Sequence, residues 1–198
     1  KLTSGSQQNF RNIVINGDMS LAQRGTSASG LTNSAYRTCD RWYITLTSFG
    51  TWTASQDTDV PTGHGFAKSL KMDCTTANGS LSSNSVGIIE QRFEGQNLQY
   101  LKKGTSSAVS TTVSFWVKSN VAATYVFWIY QLDSPTNRQI NKLYTIDSAN
   151  TWEYKTITVE GDTLGQLDND NGSCMIMGWI LAAGTGWKSG TRPSTWTA

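Results

Sequence analysis

The residues that could carry acid–base chemistry in this sequence are few: the glutamates Glu90, Glu94, Glu153 and Glu160, and a lone histidine, His64. Glycosidic hydrolysis needs two carboxylates held about 5 to 10 Å apart, and these four are candidates by type alone. Glu90 alternates with Arg92 along one stretch, so the two are expected to form a surface ion pair. His64 sits in Gly63-His64-Gly65 with no serine or cysteine motif near it, the setting of an exposed loop histidine. The GxSxG, HExxH, P-loop and GxGxxG patterns are absent. The expectation is a chain that is not an enzyme.

Metal chemistry has one foothold. Asp168-Asn169-Asp170-Asn171-Gly172 places carboxylates at alternate positions and a glycine for the turn, which is half of a calcium loop. The bidentate glutamate that completes such a loop is missing, so a plain turn between strands stands beside a structural calcium. Cys39, Cys74 and Cys174 lie far apart with no CxxC, which argues against zinc. Three free, mostly buried thiols, suited to assembly in a reducing cytosol, are the first reading; one disulfide with an odd thiol is the other.

Ring stacking is the strongest positive signal. Trp116, Trp128 and Tyr130 fall at alternating positions of two strand-like arms within Ser110 to Gln131, and Lys118 and Arg92 could add polar contacts. Flat aromatic rings beside hydrogen-bonding groups suit the apolar C–H faces of sugars. The same rings would equally suit packing in a core or a subunit interface.

These side chains need strands to aim them. Both arms of Ser110–Gln131 are rich in β-branched and aromatic residues and lack glycine and proline. They are expected to pair as an antiparallel hairpin in mid-sheet. Alternation puts Val113, Phe115 and Val117, and Tyr125, Phe127 and Ile129, on the core side. Earlier in the chain, Ile13 to Ile15 reads as a short strand closed by the Asn16-Gly17-Asp18 turn. Residues 22 to 38 read as a loop. Residues 40 to 47 read as a strand with Trp42, Ile44 and Leu46 inward, and residues 51 to 56 as its returning partner after Gly50. Further strands are expected at 67–73, 86–93, 142–146, 152–160 and 174–182, with a helical turn anchored by Leu98 and Leu101. Lys102-Lys103 reads as a solvated loop. About ten strands with no amphipathic helix predict an all-β chain, an antiparallel β-sandwich of the jelly-roll kind. Residues 1–9 are expected to be a linker or N-terminal arm and 10–198 the domain.

Composition agrees with that reading. Charged residues make up 15% of the 198 residues, against about 25% in typical domains. The net charge of +2 comes without a basic cluster, so neither nucleic acid nor an anionic membrane is an expected partner. No run reaches the roughly 18 apolar residues of a membrane span. The first residue is Lys1 rather than Met, which suggests a piece of something longer.

Three stretches together carry a resemblance. Residues 11–19, reading RNIVINGDM, are followed by Gln23-Arg24-Gly25 and then by Asp40-Arg41-Trp42. Residues 90–98, reading EQRFEGQNL, precede 113–119, reading VSFWVKS. Residues 149–155, reading ANTWEYK, precede Glu160-Gly161-Asp162-Thr163. The ordered set resembles a family of phage tail-fibre and virion structural proteins, and its "SFWVK" core is also similar to family 4/9 carbohydrate-binding modules, which are jelly rolls. The resemblance implies a virion appendage domain, assembled in the host cytoplasm and then carried on the particle. It would be a trimeric homo-oligomer among other virion proteins, acting in assembly or in receptor binding to a cell-surface glycan. A carbohydrate-binding module of a secreted glycoside hydrolase is the alternative. Such modules hold a structural calcium near the first strand, which would correspond to Asp18, but Ser20 stands where they carry glutamate. Family members continue past the tryptophan-containing loop to a further strand, so one sheet is expected to lack its last strand or to borrow cover from a neighbouring chain.

Overall fold

Strict alternation of apolar and polar side chains gives each strand one wet and one dry face, and two sheets bury their dry faces against each other. In a computed structural model, which describes residues 12–133, 136–187 and 193–198, the strands are β1 (Ser27–Leu31), β2 (Ala35–Tyr36), β3 (Trp42–Thr47), β4 (Thr51–Asp57), β5 (Ser69–Thr76), β6 (Val86–Glu94), β7 (Thr111–Val117), β8 (Ala123–Gln131), β9 (Arg138–Ile146), β10 (Glu153–Val159) and β11 (Ser173–Ala183). Every pairing is antiparallel. One layer is a six-stranded sheet in the order β2-β3-β6-β11-β8-β9. The three-stranded β1-β4-β5 sheet and the two-stranded β10-β7 sheet pack on its inner side. The all-β antiparallel sandwich expected from the sequence is the fold observed.

The inward sets were legible. Trp42, Ile44 and Leu46 are buried, as are Val113, Phe127 and Ile129. Leu98 and Leu101 are anchored in the larger core by two short 3-10 turns, Gly95–Asn97 and Gln99–Leu101. Phe115 crosses between the layers and meets Tyr144 edge-on at 5.1 Å and Trp179 at 5.5 Å. Gly50 turns the chain with φ of 86°. Two thiols are buried, Cys39 and Cys174, and Cys74 is exposed; all three are free.

The pairing of the central arms is a correction. β7 pairs with β10, whereas β8 lies between β11 and β9 in the opposite layer. Residues 118–122 therefore carry the chain across the sandwich instead of closing a hairpin. Composition marks both arms as strands but does not choose their neighbours. β4 likewise leaves β3 and pairs with β1 and β5, the first of which lies in what the sequence presented as a loop. Residues 13–15 form no strand. The buried Gln91 side chain instead clasps Ile15, accepting from its N–H at 2.8 Å and donating to its carbonyl at 2.9 Å. A side-chain amide thus does the work of one strand rung. Residues 1–9, Phe10, Arg11, Ser134 and Pro135 lie outside the described residues. Near the C-terminus, Thr197 bridges Gln139 on the edge strand β9.

Gln91 is 1% exposed, so truncating it strands backbone groups of the 13–16 segment and removes two buried hydrogen bonds. Gln91→Ala is expected to cost about 1–3 kcal/mol in urea unfolding and to remove hydrogen-exchange protection at Ile15. Full protection of Ile15 in the variant would contradict the clasp.

Candidate functional site

Cross-strand partners point to the same face of a sheet. On the outer face of the six-stranded sheet, one row runs through Tyr36, Tyr43, Glu90, Gly178, Trp128 and Asn141, one residue from each strand. The next row holds Arg92, Ile176, Tyr130 and Gln139. The structure thus brings together three of the residues expected at a ligand site: Trp128, Tyr130 and Arg92.

Trp128 and Tyr130 stack with centroids 5.2 Å apart and planes 25° apart. Gly178 makes room for this. A Cβ there would lie 3.3 Å from the Trp128 ring and 2.8 Å from Ile88, so the indole lies across a notch in the sheet. The Trp128 Nε1–H donates to Gln139 at 3.2 Å, and Asn137 donates to the Tyr130 hydroxyl at 2.7 Å. Trp187 stands edge-on to Trp128 at 6.3 Å, on a 3-10 turn (Thr185–Trp187) tied back by the Gly184 N–H to the Ser85 carbonyl. Trp128 is 8% exposed and Trp187 46%, so Trp187 offers the accessible ring and Trp128 supports it. Trp187 was missed because it lies in an irregular stretch where alternation gives no direction.

The electrostatics of this face centre on Glu90. Its carboxylate is 3% exposed and accepts two hydrogen bonds from Arg92, at 3.0 and 2.8 Å. Arg92 also lies 4.0 Å from the Tyr43 ring centroid. The expected ion pair is present, but it is buried on the Glu90 side, not a surface pair. Burial pushes the Glu90 carboxyl above its ordinary range, with Arg92 opposing that shift. The guanidinium is held protonated by the same pair, although burial opposes this.

Trp116 and Lys118 are not part of this face. Because β7 belongs to the other layer, Trp116 points out from the opposite side of the sandwich. There it meets Tyr154 at 5.4 Å and His64 at 4.2 Å. Lys118 forms an ion pair with Asp59, whose other oxygen accepts from the Trp152 indole at 2.9 Å. The hydrogen bond from Lys118, followed by that from Trp152, lowers the Asp59 pKa.

The other glutamates are each engaged separately. Glu94 accepts from Gln96 and Asn97. Glu153 accepts from the Asp147 and Ser148 N–H groups and from Lys155, which together pull its carboxyl down to about 2. Glu160 pairs with Lys142. In the acidic loop, Asp170 accepts from the Gly172 N–H and so closes its own turn. Asp18 accepts from Ser20. Among the described residues, no three carboxylates, imidazoles or thiols are arranged to hold a metal ion. Lys103 is half-buried rather than fully solvated as expected. Its amine lies 4.0 Å from the Trp196 ring centroid, and burial lowers its pKa to about 8.

No protein-family model matches the chain, and no curated protein sequence matches it. Among solved structures, the chain is similar in fold to tailspike protein 4 of bacteriophage CBA120, in a structure described as its enzymatically active domain. The TM-score is 0.50 at 16% identity, over 87% of this chain and 19% of the solved one. The chain therefore spans about a fifth of the length of the solved chain it matches. This likeness corrects the expectation of a non-enzyme. A sandwich of this fold occurs within an active tailspike domain, so the lack of familiar catalytic motifs does not exclude activity.

The Glu90–Arg92 pair yields a pH-dependent prediction. Arg92→Ala leaves a buried carboxylate without its cation and should cost about 3 kcal/mol at neutral pH. The folded-state pKa of Glu90 lies above the ordinary 4.5, so the folded chain holds this proton to higher pH than the unfolded chain. Stability then falls as pH rises from 4.5 through the folded value. Without Arg92 that fall steepens, and the deficit of the variant shrinks in acid. Urea midpoints across this range that keep a constant gap would contradict the assignment.

Proposed function

We propose that this chain is the carbohydrate-engaging β-sandwich of a phage tail appendage, and that the outer face of the six-stranded sheet meets glycan on the host surface. The observation that carries the reading is the aromatic shelf of Trp187, Trp128 and Tyr130, on the same outer face as the Arg92 guanidinium two strands away. Pyranose rings present apolar C–H faces that stack on indole and phenol, while their hydroxyls need fixed partners at the margin. Arg92, Asn137 and Gln139 supply such partners. Fold likeness to a phage tailspike domain supports the setting.

The activity named for that solved chain enters as a property of the whole appendage, of which this sandwich is one part. The shelf would hold a polysaccharide strand during cleavage. Glu90, whose burial favours the protonated form, is the first residue to substitute when cleavage is assayed.

The test is binding to an array of bacterial surface polysaccharides, followed by titration of the best binder. Trp187→Ala removes an exposed ring and leaves the core intact, so loss of affinity reports contact. The expected weakening is about tenfold, roughly 1.4 kcal/mol, with a comparable loss for Trp128→Ala. Unchanged affinity in both variants would overturn the proposal. Release of reducing ends, measured in parallel with Glu90→Gln, tests whether cleavage uses this face.

A further inference from the structure

The opposite side of the sandwich carries a second cluster of rings that the six-stranded face does not use. Trp116 and Tyr154 are cross-strand partners on β7 and β10. Their planes are tilted by 50°, and His64 leans on Trp116 at 41°. Tilted rings drawn from two strands and a loop form a shallow cup rather than a flat stack. Tyr154 is 56% exposed, far more than packing within the monomer requires.

Two features around the cup indicate its ligand. First, the same faces of β7 and β10 continue away from it as a ladder of exposed hydroxyls: Ser114 opposite Thr156, then Thr112 opposite Thr158. The last pair is hydrogen-bonded to each other at 3.3 Å. Secondly, the Lys118 and Asp59 charges near the cup match each other. Asp59 gives one oxygen to Lys118 and the other to the Trp152 indole. This clasp ties the loop that carries His64 to the end of β7 and pairs the Lys118 charge beside the rings.

We propose that Trp116, Tyr154 and His64 form a second carbohydrate subsite, one that takes a neutral pyranose unit and lays the following units along the Ser/Thr ladder. The ring faces take the sugar's C–H surface, and the strand hydroxyls exchange hydrogen bonds with its hydroxyls. This subsite does not depend on the six-stranded face. If both operate, the sandwich is bivalent, and a long polysaccharide could engage two chains at once.

The experiment is isothermal titration of the chain with cellohexaose, xylohexaose, mannohexaose and maltohexaose. It uses the wild type, Tyr154→Ala, Trp116→Ala and Trp187→Ala, with circular dichroism to confirm that each variant folds. The expected result is that at least one sugar binds and that its Kd rises at least fivefold in Tyr154→Ala, which removes an exposed ring. Trp116→Ala should give a similar or larger loss. The proposal is overturned if none of the four sugars binds. It is also overturned if binding is unchanged in both β7/β10 variants, or if binding is lost only in Trp187→Ala. The last outcome would leave the six-stranded face as the sole sugar contact.

Discussion

The contact on which the rest depends is the edge-on packing of Phe115 between the two layers. Phe115 belongs to the two-stranded sheet, and its partners Tyr144 and Trp179 belong to the six-stranded one. Phe127 joins from β8, 5.1 Å from the same Trp179. Each such aromatic pair adds about 0.5–1.5 kcal/mol beyond the area it buries. The larger consequence is geometric. Once Phe115 and Phe127 point inward, alternation leaves Trp116 and Trp128 no direction but outward. Because the two strands belong to opposite layers, the two tryptophans leave the molecule on opposite sides.

The outer faces then differ in how they hold their rings. On the six-stranded sheet, a glycine notch and a buried ion pair make a shelf that is rigid and partly dry. Gly178 lets Trp128 lie low, and Glu90 fixes the Arg92 guanidinium on the same face. On the two-stranded sheet, the rings rest on a narrower base, and the Asp59 clasp to Lys118 and Trp152 keeps the adjoining loop in place. Buried charge steadies one face and surface hydrogen bonding the other, so the first should respond more to pH and the second more to salt.

Most of the layer assignment could be read from the chain because it rests on a period of two. Trp42, Ile44 and Leu46 alternate with polar neighbours, and so do Val113, Phe115 and Val117; all six were placed on the correct side. Leu98 and Leu101 identified the 3-10 anchor by their spacing. Strand partnership was not legible, because Ser119 to Ala122 can close a hairpin or cross between sheets with equal ease. That single ambiguity merged Trp116 with Trp128 and Tyr130 into one face. The Gln91 clasp on Ile15 was hidden for another reason: it joins residues 76 positions apart through a side chain. Trp187, Tyr43 and His64 became site neighbours only through tertiary packing, which no local pattern encodes.

The central claim is that the outer face of the six-stranded sheet contacts glycan. Its most direct test is a nitrogen-15 NMR titration that follows the indole N–H signals with the polysaccharide that binds best. The account predicts that the Trp128 and Trp187 signals move with the ligand, while those of Trp42 and Trp179 in the interior stay still. Saturable binding that leaves both Trp128 and Trp187 unmoved would contradict it.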